Sequence, residues 1–366
     1  KKAISINPQY AEAYINISSL QKELGKLEDA YETLTEALNC RPNFFEALNH
    51  LGVIYKERGE FDKAIDAYKK AVAINPDYAD AYNNMGATFK EQYRLQEAID
   101  AFKHSIALQP DYAETYYNLA DTFKELESFD KAIDAYEKAI FLKPDYAEAI
   151  HMLYSLTGKS TITAPRGYVE NLFDQYAKKF EASLVDDLEY KIPKLIKDII
   201  IKSNHNSSLG AVLDLGCGTG LLGVEISPHA SNLIGIDLSA EMLKHASEKQ
   251  IYHQIFHSDI MDFLNEVDLC FDYFVAADVF VYIGDLAEIF KIIKEKNKSS
   301  GKLAFSTEHT ERDGFNLEKS GRYSHSKNYI EQLCEEFNYS ISHFSLTNLR
   351  KEKGQFINGG LYILDF

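Results

Sequence analysis

Residues 211–220 read AVLDLGCGTG, the residue types and spacing of a strand end that meets a ligand. Val212, Leu213 and Leu215 suit a strand covered on both faces. Gly216, Gly218 and Gly220 then remove side chains where backbone must pass close to something bound. The pattern from Asp214 is D-x-G-x-G-x-G, and not the G-x-G-x-x-G that seats a helix N-terminus over a pyrophosphate. An acid so close to the ligand repels a diphosphate and suits a cation, such as the ammonium group of a sulfonium amino acid. Two more apolar runs end in acids: NLIGIDLS at Asp237, and IFHSDIMDF at Asp259 and Ile260. Three strand ends, each bearing an acid at ordinary strand–helix–strand spacing, point to one crevice.

On these residues, the stretch from about 165 to 366 resembles a class I S-adenosylmethionine-dependent methyltransferase, a Rossmann-like, seven-stranded α/β fold. The resemblance implies S-adenosylmethionine as cofactor and S-adenosylhomocysteine as product. It places Asp214, Gly216, Cys217, Gly218 and Gly220 in the family's first motif and Asp237 on the two ribose hydroxyls. Leu238 and Met242 join the cofactor set, and Asp259 and Ile260 hold the adenine. It also implies a lid helix before the first strand. YVENLFDQYAKKFEASLV carries apolar or aromatic residues at 169, 172, 173, 176, 177, 180 and 184, a helical stripe. Phe173, Tyr176 and Phe180 are its candidates for closing over the cofactor, beside the alternative that they are core.

The acceptor side is sparser. The fourth strand, within FDYFVAADVFVYIGDL, delivers Ala277 and Asp278 to the cofactor and Tyr282 to the substrate pocket. The fifth, KLAFSTEHT, delivers Ser306, Glu308 and His309, and the long segment after it holds Arg322, Tyr323 and His325. Ser306, Arg322 and Tyr323 complete the expected substrate pocket. Glu308, His309 and His325 are the candidate catalytic groups, the histidines as bases and Glu308 orienting or sharing the proton. Each has the alternative of a structural role. A sugar or aliphatic hydroxyl needs such a base, a phenol is helped by one, and a carboxylate needs none. No Asn-Pro-Pro-Tyr-like signature follows the fourth strand, and no prolyl-cysteine is present, which argues against amino methylation of adenine or glutamine and against cytosine C5. His253 and His257 lie on a strand pattern without accompanying carboxylates, so no metal site is expected.

The elements that position these groups fall into two halves. Prolines at 8, 42, 76, 110 and 144 set a period of 34 residues, the tetratricopeptide period. Each unit opens a helix with Tyr14, Leu48, Tyr82 or Tyr116, and has a small residue four later (Ser18, Gly52, Gly86, Ala120). Each also has an alanine at the helix crossing (Ala30, Ala64, Ala98, Ala132). Residues 1–157 are expected as an all-α solenoid of four full repeats, with part of another before Pro8 and a capping helix at 147–156. The stretch 158–167 is expected as linker, and 168–366 as the methyltransferase domain with its lid helix. TGKS at 157–160 lacks the upstream glycine of a phosphate loop. The order of parts resembles a group of predicted bacterial methyltransferases with tetratricopeptide repeats, in which FSTE-like and GRYSHS-like segments recur.

Asn16, Asn84 and Asn118 recur at one repeat position that His50 fills in the second repeat. A column of amides grips an extended peptide backbone, and this one is similar to the ladder of the O-GlcNAc transferase superhelix. The competing reading is a solvated face. The net charge of −17 leaves neither half basic, which argues against nucleic acid. Four scattered cysteines read as reduced and cytoplasmic, and no apolar run reaches the ~18 residues of a membrane span. The chain opens at Lys1 inside a repeat, so more is expected upstream. The function expected is O- or N-methylation of a small or glycan-like molecule, or of a protein recruited by the repeats. The alternative is a repeat adaptor whose methyltransferase fold senses ligand or is inactive.

Overall fold

A computed structural model describes residues 11–177, 180, 189–203, 208–352 and 354–366. Pro8, the repeat tail before it, and Leu184 of the lid stripe lie outside the described residues. The chain forms two compact units, Lys1–Leu153 and Tyr154–Phe366.

In the first unit the 34-residue period becomes paired helices: α1 (Ala11–Glu23) with α2 (Leu27–Cys40), α3 (Phe45–Glu57) with α4 (Phe61–Ile74), α5 (Ala79–Glu91) with α6 (Leu95–Leu108), and α7 (Ala113–Glu125) with α8 (Phe129–Leu142). A further helix, α9, covers Ala147–Thr157, and the division between units falls within it. The turn inside each pair uses a left-handed residue at the same repeat position: Gly25, Gly59, Tyr93 and Glu127. Its own amide and the next bond back to the helix each time, as in Gly59 N to Lys56 O and Glu60 N to Tyr55 O, both 2.8 Å. Glycine meets that geometry without strain, whereas Tyr93 and Glu127 hold it at about 1 kcal/mol each.

The small residues have the packing reason expected of them. A Cβ on Gly52 would stand 2.4 Å from the Tyr68 ring, and one on Gly86 2.7 Å from the Phe102 ring. The four crossing alanines are fully buried. The amide column is partly consumed within the stack. Asn84 Nδ2 donates to Asn49 Oδ1 at 3.0 Å and Asn118 Nδ2 to Asn83 Oδ1 at 3.2 Å, while Asn16 is exposed.

The second unit begins with α10 (Arg166–Tyr176) and α11 (Ile192–Ser203), then alternates strands and helices. β1 (Ala211–Leu215), β2 (Asn232–Asp237), β3 (Gln254–His257) and β4 (Phe271–Ala276) are parallel, and β4 pairs parallel with β5 (Asn297–His309). β9 (Gln355–Asp365) runs antiparallel to β5, and β8 (Ser340–Glu352) antiparallel to β9. These seven strands are the expected sheet. Two short strands, β6 (Phe315–Leu317) and β7 (Tyr323–His325), extend it beyond the end of β5 to nine. Sequence periodicity missed them because a three-residue strand carries no alternation. Both faces of the sheet are covered, one by a core built on Phe274, Phe290 and Phe305, the other by Ile192, Ile196 and Ile200 of α11 against Val212 and Val275.

The segment expected as linker is built into this unit. Thr163 forms a bridge with Ile283, Ala164 N donates to Tyr282 O at 3.0 Å, and Ile162 O accepts from Gly284 N and Asp285 N, both at 2.9 Å. Polar, proline-containing composition signalled a lack of periodic structure there but not whether the backbone was tied down. No helix among the described residues is long and apolar enough to cross a membrane.

Candidate functional site

The carboxyl ends of the parallel strands open on one cavity of about 780 Å³. At the end of β1 the chain takes φ of +64° at Gly216 and +55° at Gly218. Alanine at Gly216 would be strained by that φ and would also meet Val279 Cγ2 at 2.6 Å. A Cβ on Gly218 would instead project toward Phe180, 3.8 Å away, into the space between loop and lid. Asp237 ties the loop to β2: its Oδ2 accepts from Gly218 N and its Oδ1 from Ser239 N, each at 2.8 Å. Burial pushes its carboxyl above the usual value, against the pull of those amides. Asp259 caps the following helix, α14 in chain order (Ile260–Glu266, after Leu221–Ile226 and Ala240–Glu248), accepting from Met261 N at 2.8 Å.

Gly216, Gly218, Asp237, Leu238, Asp259, Ile260, Ala277 and Asp278 all line the cavity, as do Phe173, Tyr176 and Phe180. Cys217, Gly220 and Met242 do not line it: Cys217 and Met242 are buried and Gly220 begins the helix after the loop. Asp214 does not line it either. It is buried beneath the loop, accepts from Tyr252 OH at 2.7 Å, and burial raises its carboxyl to about 7. Tyr252 fits there because Gly223 has no Cβ, which would stand 2.3 Å from the phenol oxygen.

The lid helix is latched to both strand ends that carry the acids. Arg166 pairs with Asp262 at 3.1 Å, and Asp174 accepts from Ser239 Oγ at 2.5 Å. Its inner face is aromatic: Phe173 meets Phe180 and Tyr282 edge-on at 6.1 and 5.3 Å, and Tyr176 meets Phe180 at 5.8 Å.

The opposite end of the cavity is built on a charged network. Asp278 sits just past β4 in the left-handed region, φ +56°, clasped by Ser306, whose Oγ accepts from Asp278 N and donates to Asp278 Oδ1, both 2.8 Å. Arg350, from β8, donates to Asp278 and to Glu308. Arg322 donates Nε to Glu308 at 2.6 Å and also pairs with Glu352. Arg322, Arg350, Glu352 and Tyr282 line the cavity, joined by Tyr190, whose phenol is pushed well above its ordinary value by burial and then by the Asp278 carboxylate. Tyr282 is raised by burial too, against the opposing pull of Arg322 and Arg350.

The candidate catalytic histidines are not in the cavity. β7 pairs with the end of β5, Glu308 beside Ser324 and His309 beside His325, and draws both rings away from it. His325 is fully buried, Nε2–H donates to Gly284 O at 2.9 Å, and desolvation lowers its imidazole to about 4. It is a neutral ring stacked on Tyr329. His309 faces Glu311 at 3.1 Å, outside the cavity lining. Glu308 is buried behind the two guanidiniums and positions them. Tyr323 is likewise buried, bonded to Thr161, and Ser306 acts through Asp278. Arg350 and Glu352 went unseen because RKEK before a glycine reads as a solvated hairpin end, and only the β8–β9 register turns Arg350 inward; Tyr190, just ahead of α11, belongs to no motif.

A strand-end glycine loop tied to an acid on the next strand, under an aromatic lid, on a parallel sheet with β9 inserted antiparallel between β5 and β8, defines a class I methyltransferase domain. Comparison with known proteins agrees. Residues 206–356 match the family model of a methyltransferase domain, and residues 11–44, 33–66, 54–93 and 77–143 match models of the tetratricopeptide repeat. The chain thus consists of tetratricopeptide repeats followed by a methyltransferase domain. It is 46% identical over 57 residues to an uncharacterized methyltransferase of Schizosaccharomyces pombe, covering 16% of this chain and 22% of that protein. It is 32% identical over 116 residues to a ubiquinone biosynthesis O-methyltransferase of Actinobacillus pleuropneumoniae, covering 29% and 50%. The chain therefore spans half or less of the length of these curated relatives. A solved S-adenosylmethionine-dependent methyltransferase from Clostridium acetobutylicum is 21% identical over 54% of this chain and 99% of its own, with a TM-score of 0.40.

Proposed function

We propose that the unit from Tyr154 onward binds S-adenosylmethionine and transfers its methyl group to an oxygen or nitrogen of a small, largely apolar molecule. The observation that carries this is the continuity of one cavity from the Gly216–Gly218 loop and Asp237 to the Arg322–Arg350 end. Bound S-adenosylmethionine supplies a methyl carbon on a positively charged sulfur, open to in-line displacement. The chain's residues do the rest. Asp237 accepts the two ribose hydroxyls while its loop amides hold it in place, Ile260 packs on the adenine, and Asp259 accepts from the adenine amine. Phe173, Tyr176 and Phe180 cover the sulfonium and keep water out, and Asp278 fixes the boundary between the two ligands. Most of the acceleration in this reading comes from alignment.

The repeats recruit a partner in this proposal, an extended peptide gripped by Asn16, His50 and the carbonyl oxygens that Asn84 and Asn118 keep after donating to Asn49 and Asn83. The four free cysteines suit a reducing, cytoplasmic location. The test is calorimetric titration of the full chain with S-adenosylhomocysteine. Saturable binding is expected, weakened by roughly 100-fold or more in Asp237→Ala, since two hydrogen bonds to a charged group are lost. Unchanged affinity in that variant would refute the assignment of the cofactor site.

A further inference from the structure

Two guanidiniums form part of the acceptor end of the cavity, and each keeps donors in reserve. Arg322 uses Nε on Glu308 and Nη2 on Glu352, and Arg350 uses Nη1 on Asp278 and Nη2 on Glu308. Among the described residues, Arg322 Nη1 and Arg350 Nε donate to nothing. A guanidinium is a planar fork of five donors matched to a carboxylate, and these two atoms are not among the sealed-off polar atoms, so they remain open to a ligand. The three acids already there are not equivalent. The side chains of Asp278 and Glu308 are 13% and 8% exposed, whereas that of Glu352 is 38% exposed, the one free to swing aside.

The surroundings restrict the nucleophile. Among the described residues no histidine lines the cavity, and Asp278 and Glu352 are held in ion pairs. The Tyr190 and Tyr282 phenols, raised by burial, stay protonated. Asp285 and Glu288 also line the cavity but pair with neither guanidinium; the acids that do are already held in ion pairs, which favours an acceptor oxygen that arrives without a proton. Aromatic and aliphatic side chains, Phe173, Tyr176, Val279 and Val281 among them, make up much of the rest of the wall.

We propose that the methyl acceptor is an apolar carboxylic acid, seated by its carboxylate on Arg322 and Arg350 with Glu352 displaced, and that the product is its methyl ester. This rests on the methyl-transfer reading above. The carboxylate oxygen forms a bond to the methyl carbon as the methyl–sulfur bond breaks and its electron pair stays on sulfur. An anion and a sulfonium become a neutral ester and a thioether, and no proton moves. Asp278 and Glu308 are essential to the balance, because they damp the pull of the guanidiniums and leave the bound carboxylate nucleophilic. The ester loses the ion pair that held the acid, which favours its release.

The experiment uses the full chain loaded with S-adenosylhomocysteine, titrated with benzoate, 4-phenylbutyrate and octanoate, each beside its matching primary alcohol. At least one acid is expected to bind about tenfold more tightly than its alcohol. Arg322→Gln abolishes that preference. Glu352→Gln strengthens acid binding severalfold, a gain that a merely structural Glu352 would not produce. With methyl-labelled S-adenosylmethionine, the acid that binds then acquires label that mild alkali releases as methanol. An acid preference absent from every pair, weaker acid binding in Glu352→Gln, or label that is absent or alkali-stable overturns the proposal. Failure of S-adenosylhomocysteine itself to bind overturns the methyl-transfer reading instead.

Discussion

Arg350→Met is the sharpest probe of how the acceptor end is held together. The Arg350 side chain is 10% exposed and bridges Asp278 and Glu308, themselves 13% and 8% exposed. Removing one partner of a buried ion pair costs roughly 3–5 kcal/mol, because the other charge is left unpaired out of water. Here the lower end applies. Glu308 keeps Arg322 at 2.6 Å and Asp278 keeps Ser306 Oγ at 2.8 Å, so neither carboxylate is abandoned. A loss of about 3 kcal/mol in a unit of this size lowers its thermal midpoint by roughly 6–12 °C. Calorimetry resolves that transition from the repeats, because only it moves up with added S-adenosylhomocysteine. The decisive control is Arg350→Met combined with Asp278→Asn. It removes the stranded charge with little change in volume and should recover at least half of the loss. A drop of under about 2 °C in the single variant, or no recovery in the double, would show that the network is not an ion-pair scaffold.

Three further outcomes are expected. His325, lowered to about 4 when folded, gives stability that is present above its unfolded value of 6.5 and lost as pH falls through the folded value, up to roughly 3 kcal/mol. His325→Gln should flatten that acid limb in pH-dependent urea titrations, and if it abolishes turnover with stability intact, the structural role is wrong. Asp214 has the opposite sign: raised to about 7, it contributes stability that is full below about 4 and lost as pH rises through 7, roughly 4 kcal/mol in all. Asp214→Asn, whose amide oxygen still accepts from Tyr252, should therefore be more stable than the parent at pH 8 and not at pH 4; equal profiles sink that account. Replacing Asn84 and Asn118 together by alanine removes both inter-repeat amide bonds, at about 0.5–1.5 kcal/mol each, and should lower the repeat transition while sparing S-adenosylhomocysteine affinity.

Local sequence determined the parts whose physics is local. A period of 34 residues with small residues at helix crossings needs nothing beyond neighbouring repeats to be read, and Gly52 against Tyr68 is that contact. The glycine loop and Asp237 were legible because close backbone approach and a strand-end acid each demand a residue type at a fixed spacing. The acceptor end was not legible, since its groups come from 190, 278, 308, 322 and 350–352 and meet only across the sheet. Tertiary pairing decided that His309 and His325 turn away and that Arg350 turns in. In a strand, one residue of register reverses the face a side chain points to, and register here was set by the partners β5, β7 and β9. Residue types announced the candidate cofactor end; only the folded sheet assembled the place where an acceptor would lie.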